Sequence, residues 1–161
     1  MSTIRSEAES RARRDRVTAM LTSARDEYAA AARTGKGGRA AQARYAAQVD
    51  DLVRVLADAA THDRVTVPLV VCALGGYGRR TLCLHSDLDL LLVFDGPIGP
   101  AEERVVNEVL QPLWDLRLTV GHHVRELKEL DQFDDGNPEF LLALCDLRLL
   151  TGDVRLFDEV F

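Results

Sequence analysis

Two short runs, LVVCAL at 69–74 and LDLLLVF at 88–94, constrain the fold of this 161-residue chain more than any other feature. Both are rich in leucine or β-branched residues and nearly continuous in apolar character. Each is closed by a turn signal, Gly75-Gly76 after the first and DGPIGP after the second. A strand with one wet face alternates apolar and polar residues, so continuous runs predict strands covered on both faces. The simplest solution is a small sheet flanked by helices. Asp89 interrupts the second run and Asp87 stands just before it. An unpaired charge is expensive in such surroundings, so the two acids need a physical reason to be there.

The flanking pattern supplies the helices. Val17, Met20, Leu21, Ala24, Tyr28 and Ala31 recur at three- and four-residue steps, as one face of a helix requires. RTGKGG breaks it, and a second amphipathic helix is predicted from Arg39 to Thr61, with Tyr45, Val49, Leu52, Val53, Leu56 and Ala60 inward. Residues 17–66 thus read as an N-terminal helical hairpin behind a polar, disordered segment, 1–16. After the two strands, Pro100 opens a helix over roughly 101–116, which Pro112 is expected to kink or restart. LTVGHHVREL resumes a strand, and NPEFLLALCDLRLL and DVRLFDEVF read as helices. Residues 67–161 then form an α/β (α+β) core.

Charge and cysteine usage narrow the function classes. The net charge of −6 divides into 12 basic and 9 acidic side chains in residues 1–66, and 8 and 17 in residues 67–161. The half that carries the acid pair is itself acidic, which disfavours nucleic acid as a partner and suits a divalent cation. The longest apolar run, Val67 to Leu74, has eight residues including a proline, and no apolar leader precedes it. A cytoplasmic protein without a membrane partner is expected. Cys72, Cys83 and Cys145 are odd in number and not in metal-ligand spacing, so they read as reduced thiols.

In a strand, residues two apart share a face, so Asp87 and Asp89 present their carboxylates to one side. Two like charges that close repel unless a cation lies between them. Mg²⁺ takes carboxylate oxygens and keeps positions for phosphate, which makes the pair a candidate catalytic and metal site for a nucleoside triphosphate. Gly75 and Gly76 let the backbone approach a ligand, and their amides suit phosphate oxygens. Ser86 adds a hydroxyl and Arg79 a guanidinium, which completes the candidate nucleotide-binding set. No Walker A motif, serine triad or zinc spacing is visible.

Gly-Gly-Tyr-Gly-Arg at 75–79 followed by Ser86-Asp87-x-Asp89-Leu90-Leu91 resembles the nucleotidyltransferase domain of bacterial protein-PII uridylyltransferases, and of related nucleotidyltransferases of signalling proteins. LWDLRLTVGHHVREL is similar to that family's Gly-His-x-Val-Arg segment, and LCDLRLLTGDVRLFDEV to its Arg-x-Leu-x-Gly-Asp helix. The likeness covers about residues 17–161. It implies a polymerase-β-like fold, Mg²⁺ dependence, and transfer of UMP from UTP to a tyrosine of the PII nitrogen-signalling protein, with release of pyrophosphate. By position it assigns the triphosphate to Gly75, Gly76 and Ser86 and the metals to Asp87 and Asp89.

Some positions depart from that pattern. Arg80-Thr81 stand where the family more often has Gly-Glu, and Cys83-Leu84 where a proline is common, so a loop of different shape is expected there. The wider superfamily carries a third carboxylate on a later strand, where this chain has His122 and His123; Glu126 and Asp115 are the acids at hand. Family members continue into phosphohydrolase and glutamine-sensing domains. The expectation is therefore a fragment or truncated relative, lacking de-uridylylation and glutamine sensing. The alternatives are a nucleotide-binding regulatory module without turnover and a nucleotidyltransferase with another acceptor.

Overall fold

The computed structural model describes residues 2–62, 67–130 and 138–160. Thr66, where the hairpin was expected to end, Asn137 and Phe161 lie outside the described residues. Helix α1 spans Ser2–Arg33 and α2 spans Arg39–Thr61. The expected disordered segment is therefore corrected: the chain is helical from Ser2. Alanine, glutamate and arginine dominate this stretch, and no glycine or proline occurs before Gly35, so local propensity carries the helix past its apolar stripe. Arg14 reaches Asp115 at 3.1 Å, which ties this region to a helix distant in sequence.

The remaining elements are β1 (Leu69–Ala73), the single turn α3 (Gly75–Gly78), β2 (Leu88–Phe94), α4 (Pro100–Asp115), β3 (Val120–Glu126), a 3₁₀ turn (Leu127–Glu129), α5 (Pro138–Leu144), β4 (Arg148–Gly152) and α6 (Val154–Val160). The strands form one sheet in the order β3-β2-β1-β4. β1 is antiparallel to β2 and to β4, while β2 and β3 are parallel, so the sheet is mixed and open. The α/β class with helices flanking a small sheet is as expected.

Alternation sorts the central strands between two cores. Leu69, Val71, Ala73, Leu88, Leu90, Leu92 and Phe94 pack with α1, α2 and α4. Val70, Cys72, Leu74, Leu91 and Val93 pack on the other side with Leu156 and the partly buried Phe140, Leu144 and Phe157. Burial on both faces accounts for the continuous apolar runs. Cys72 is fully enclosed here, and burial pushes its thiol up to about 12, so it acts as a small apolar residue.

Three local expectations change. DLRLL was expected to be helical, yet Arg148–Gly152 is a strand on the edge of β1. Leu149 joins the α5/α6 core while Leu150 joins the hairpin core, a two-residue alternation that a leucine-rich string permits as readily as a helical one. Tertiary pairing decides between them. Helix α4 runs through Pro112 to Asp115, so the proline removes one backbone donor from the helix without ending it. The glycine turn after β1 closes into one helical turn.

Two helix ends place arginine in the left-handed region, Arg80 and Arg117, each with φ 58°. After α4, the Arg117 amide donates to Trp114 O at 2.8 Å and the Leu118 amide to Leu113 O at 3.1 Å, the hydrogen-bond pair of a Schellman cap. The same pair follows α3, where Arg80 donates to Tyr77 O at 3.0 Å and Thr81 to Gly76 O at 2.9 Å. A non-glycine residue there costs about 1–2 kcal/mol, against about 0.5–1 kcal/mol of extra chain entropy for glycine. Arg117→Gly is thus expected to stabilise the chain by roughly 0.5–1 kcal/mol, a rise of a few degrees in a thermal melt. A lower melting point would show that the arginine side chain contributes more than its backbone strain removes.

Candidate active site

Asp89 lies near the start of β2, on the side of the sheet shared by Leu91 and Val93. Its backbone carbonyl accepts from the Leu74 amide at 2.9 Å, so the residue that opens the glycine turn is fastened to the acid itself. Gly75 follows with φ +51°, and a Cβ built there would stand 3.5 Å from Asp89 Oδ2. From the other side, the parallel register sets Gly121 of β3 opposite Asp89. A Cβ on Gly121 would come within 2.5 Å of Asp89 Oδ1. The carboxylate therefore occupies space that exists because two glycines, 46 residues apart in sequence, flank it.

Asp87 is exposed and precedes β2 by one residue. Burial first, and then the charge of Asp87, raise the Asp89 carboxyl above its ordinary range; His123 opposes them. Among the described residues neither carboxylate side chain takes part in an ion pair or hydrogen bond. The result is a pair of adjacent acids offering hard oxygen donors, one half-buried and one exposed.

The structure separates the two histidines that sequence left equivalent. His123 stands opposite Leu91 in the register, two positions beyond Gly121, on the face of Asp89. Its ring lies 4.4 Å from Phe140. Burial, then Arg125 and His122, push its pKa down, against a smaller opposing pull from Asp89. His122 points to the other face, edge-on to Trp114 at 5.7 Å.

The other candidate residues are placed as follows. Gly76 sits within α3 beside the Arg79 side chain and Thr81, whose hydroxyl donates to Gly76 O at 3.0 Å. Arg79 forms an ion pair with Asp146, so its guanidinium is already engaged. Ser86 Oγ accepts from the Cys83 amide at 3.0 Å, closing the loop before the acids. Cys83 Sγ in turn accepts from Gln42 at 3.3 Å and Tyr28 at 3.5 Å, which pins the loop to α2 and α1. The expected difference in this loop therefore resolves into a left-handed Arg80 and a cysteine anchored to the hairpin.

Neither acid considered for a third carboxylate joins the pair. Glu126 is opposite Phe94 at the far end of β2, accepts from the Ile98 amide at 3.0 Å and pairs with Lys128 at 2.6 Å. Asp115 takes Arg14 and Gln111 on the outside of α4. Among the described residues no group of three or more histidine, cysteine or acidic side chains could hold a metal. A recess of about 480 Å³ between α1, α2 and α4, lined by Arg14, Gln111 and Asp115 among others, includes neither the glycine turn nor the acids. Among the described residues no helix is long and apolar enough to cross a membrane.

No family model matches the chain. Curated proteins do. The chain is 39% identical over 110 residues to the bifunctional uridylyltransferase/uridylyl-removing enzyme of Gluconobacter oxydans, covering 67% of this chain and 12% of the relative. It is 35% identical over 118 residues to that of Bradyrhizobium diazoefficiens, 69% of this chain and 13% of the relative. To that of Rhodospirillum rubrum it is 32% identical over 164 residues, 94% of this chain and 18% of the relative. The chain thus spans less than a fifth of the length of these curated relatives.

Proposed function

The chain belongs to the family of bifunctional uridylyltransferase/uridylyl-removing enzymes, as their nucleotidyltransferase domain, and on that premise we propose that it transfers UMP from UTP to a tyrosine of a PII-type signalling protein. The observation that carries the reading is the placing of Asp89, wedged between Gly75 and Gly121 with the charge of Asp87 beside it, while among the described residues neither carboxylate is held in an ion pair. Such carboxylates are uncomfortable alone and suited to a hard divalent cation. Asp87 and Asp89 would hold Mg²⁺, which when bound relieves their repulsion and neutralises charge on the triphosphate and its leaving group.

The protein's own groups divide the remaining work. Gly75 and Gly76 present backbone without side chains beside Asp89, which lets a triphosphate approach the turn closely. Ser86 shapes the loop through its bond to Cys83 and retains a hydroxyl hydrogen to donate. Arg79 serves phosphate by sharing a guanidinium that Asp146 already orients. The acceptor hydroxyl gives up its proton to solvent as its oxygen bonds to the α-phosphorus and the bond from that phosphorus to the bridging oxygen breaks, and pyrophosphate leaves.

The test is pyrophosphate release with each nucleoside triphosphate, with and without a PII-type acceptor, in Mg²⁺ and in EDTA. Release with UTP that needs both acceptor and metal is expected, with loss of at least a hundredfold in EDTA. Metal-dependent binding of UTP by calorimetry without any release would instead favour a regulatory module, and release with a different acceptor would redirect the substrate assignment.

A further inference from the structure

A half-buried arginine outside the acid pair grips the glycine turn. Arg148, the first residue of β4, sends Nε to Gly78 O at 3.0 Å and one terminal nitrogen to Tyr77 O at 3.1 Å. Its two terminal nitrogens also meet Asp50 of α2 at 2.7 and 3.1 Å, a bidentate pair. The Asp50 side chain is 2% exposed and that of Arg148 18%. The guanidinium lies 5.6 Å from the centre of the Tyr77 ring, which is itself fully buried. Two residues earlier, Asp146 holds Arg79 at the end of the same turn.

We propose that Arg148, oriented by Asp50, is the positioning residue that holds the Gly75–Gly78 turn in place against Asp89 during nucleotidyl transfer; this rests on the reading of the site given above. Glycines set a turn free of side-chain constraint, so something else must hold it. The turn has a single helical repeat and cannot hold itself by cooperative hydrogen bonding. Its amino end is fastened by the Leu74 amide to Asp89 O. Its carboxyl end is fastened by Arg148. Only a planar fork can meet two carbonyls and a carboxylate at once, so lysine is no substitute. Asp50 supplies the charge that makes the guanidinium tolerable in the interior and fixes its plane. Helix α2, β4 and the turn are thereby joined through one side chain.

The experiment compares Arg148→Lys with the double variant Asp50→Leu/Arg148→Met in the full chain. Lysine keeps the charge opposite Asp50 but loses the fork. The apolar pair removes the buried charges together and keeps volume, so that stability is preserved while the carbonyl ties are lost. Amide hydrogen exchange at 78–81 is expected to quicken about tenfold in both, with β1 and β2 unchanged. The kcat for pyrophosphate release, measured well below the melting point, is expected to fall roughly 10- to 100-fold in both, with KM for UTP changed less than the rate. Unaltered exchange in Arg148→Lys overturns the proposal, as does a double variant that recovers both its melting point and wild-type kcat, because the pair would then be structural alone. If the unaltered chain releases no pyrophosphate, the reading of the site falls. Exchange, which needs no substrate, still decides whether Arg148 holds the turn.

Discussion

Asp89→Asn is expected to lower nucleotidyl transfer about a thousandfold or more while leaving the chain folded. Loss of one of two carboxylates that hold the cation removes several kcal/mol of transition-state charge stabilisation, and about 1.4 kcal/mol is a factor of ten. Asparagine keeps the shape between Gly75 and Gly121 but not the charge. The same change carries a stability signature of the opposite sign. In the folded chain the Asp89 carboxyl is raised by burial and by Asp87, so folding favours its protonated form. That contribution is full below the unfolded value, about 3.9, and is lost as pH rises through the raised folded value. Without metal, the asparagine variant should therefore melt higher than the unaltered chain at pH 7, and the gap should shrink towards pH 4. Mg²⁺ should raise the melting point of the unaltered chain and leave the variant nearly unmoved. Full activity in the variant would show that the cation is held elsewhere.

Gly121→Ala tests the geometry rather than the charge. A methyl at residue 121 would stand 2.5 Å from Asp89 Oδ1, a distance no pair of such atoms tolerates. What it strikes is the end of a rotatable side chain, so the carboxylate swings aside at small cost to the fold. Displacement of a reacting group by about 1 Å is enough to lose about a hundredfold in rate. The expected outcome is a melting point within a few degrees of the unaltered chain together with a loss of transfer of about a hundredfold or more. Retention of full activity would mean that the working position of Asp89 is not the one between the two glycines. The two variants separate the need for a charge from the need for its place.

Much of the architecture was legible because its signals are local. The second helix, Arg39–Thr61, and the strand Leu88–Phe94 emerge with the expected limits, since each has its own periodicity and its own terminating residues. Residues 2–16 carry no apolar stripe to announce a helix, yet alanine and charged helix formers suffice for one. The strand Arg148–Gly152 is not legible locally because leucines at 147, 149 and 150 satisfy either period, and only the free edge of β1 selects the extended form.

The candidate site divides the same way. Gly75, Gly76, Ser86, Asp87 and Asp89 lie within one strand, turn and strand, so their types and spacing pointed to one chemistry before any contact was known. That Gly121 rather than a histidine stands opposite Asp89, that His123 and not His122 shares its face, and that Asp146 claims Arg79 all follow from strand register and from the corner before β4. Apart from residues 2–16 and 148–152, the chain by itself determined which segments would be strands and helices and which acids would sit among leucines, because periodicity and turn chemistry act over a few residues. The tertiary structure alone decided which glycine makes room for the carboxylate and which arginine grips the turn. Those pairings join residues far apart in sequence, and one step of register would have exchanged the face that meets the acids.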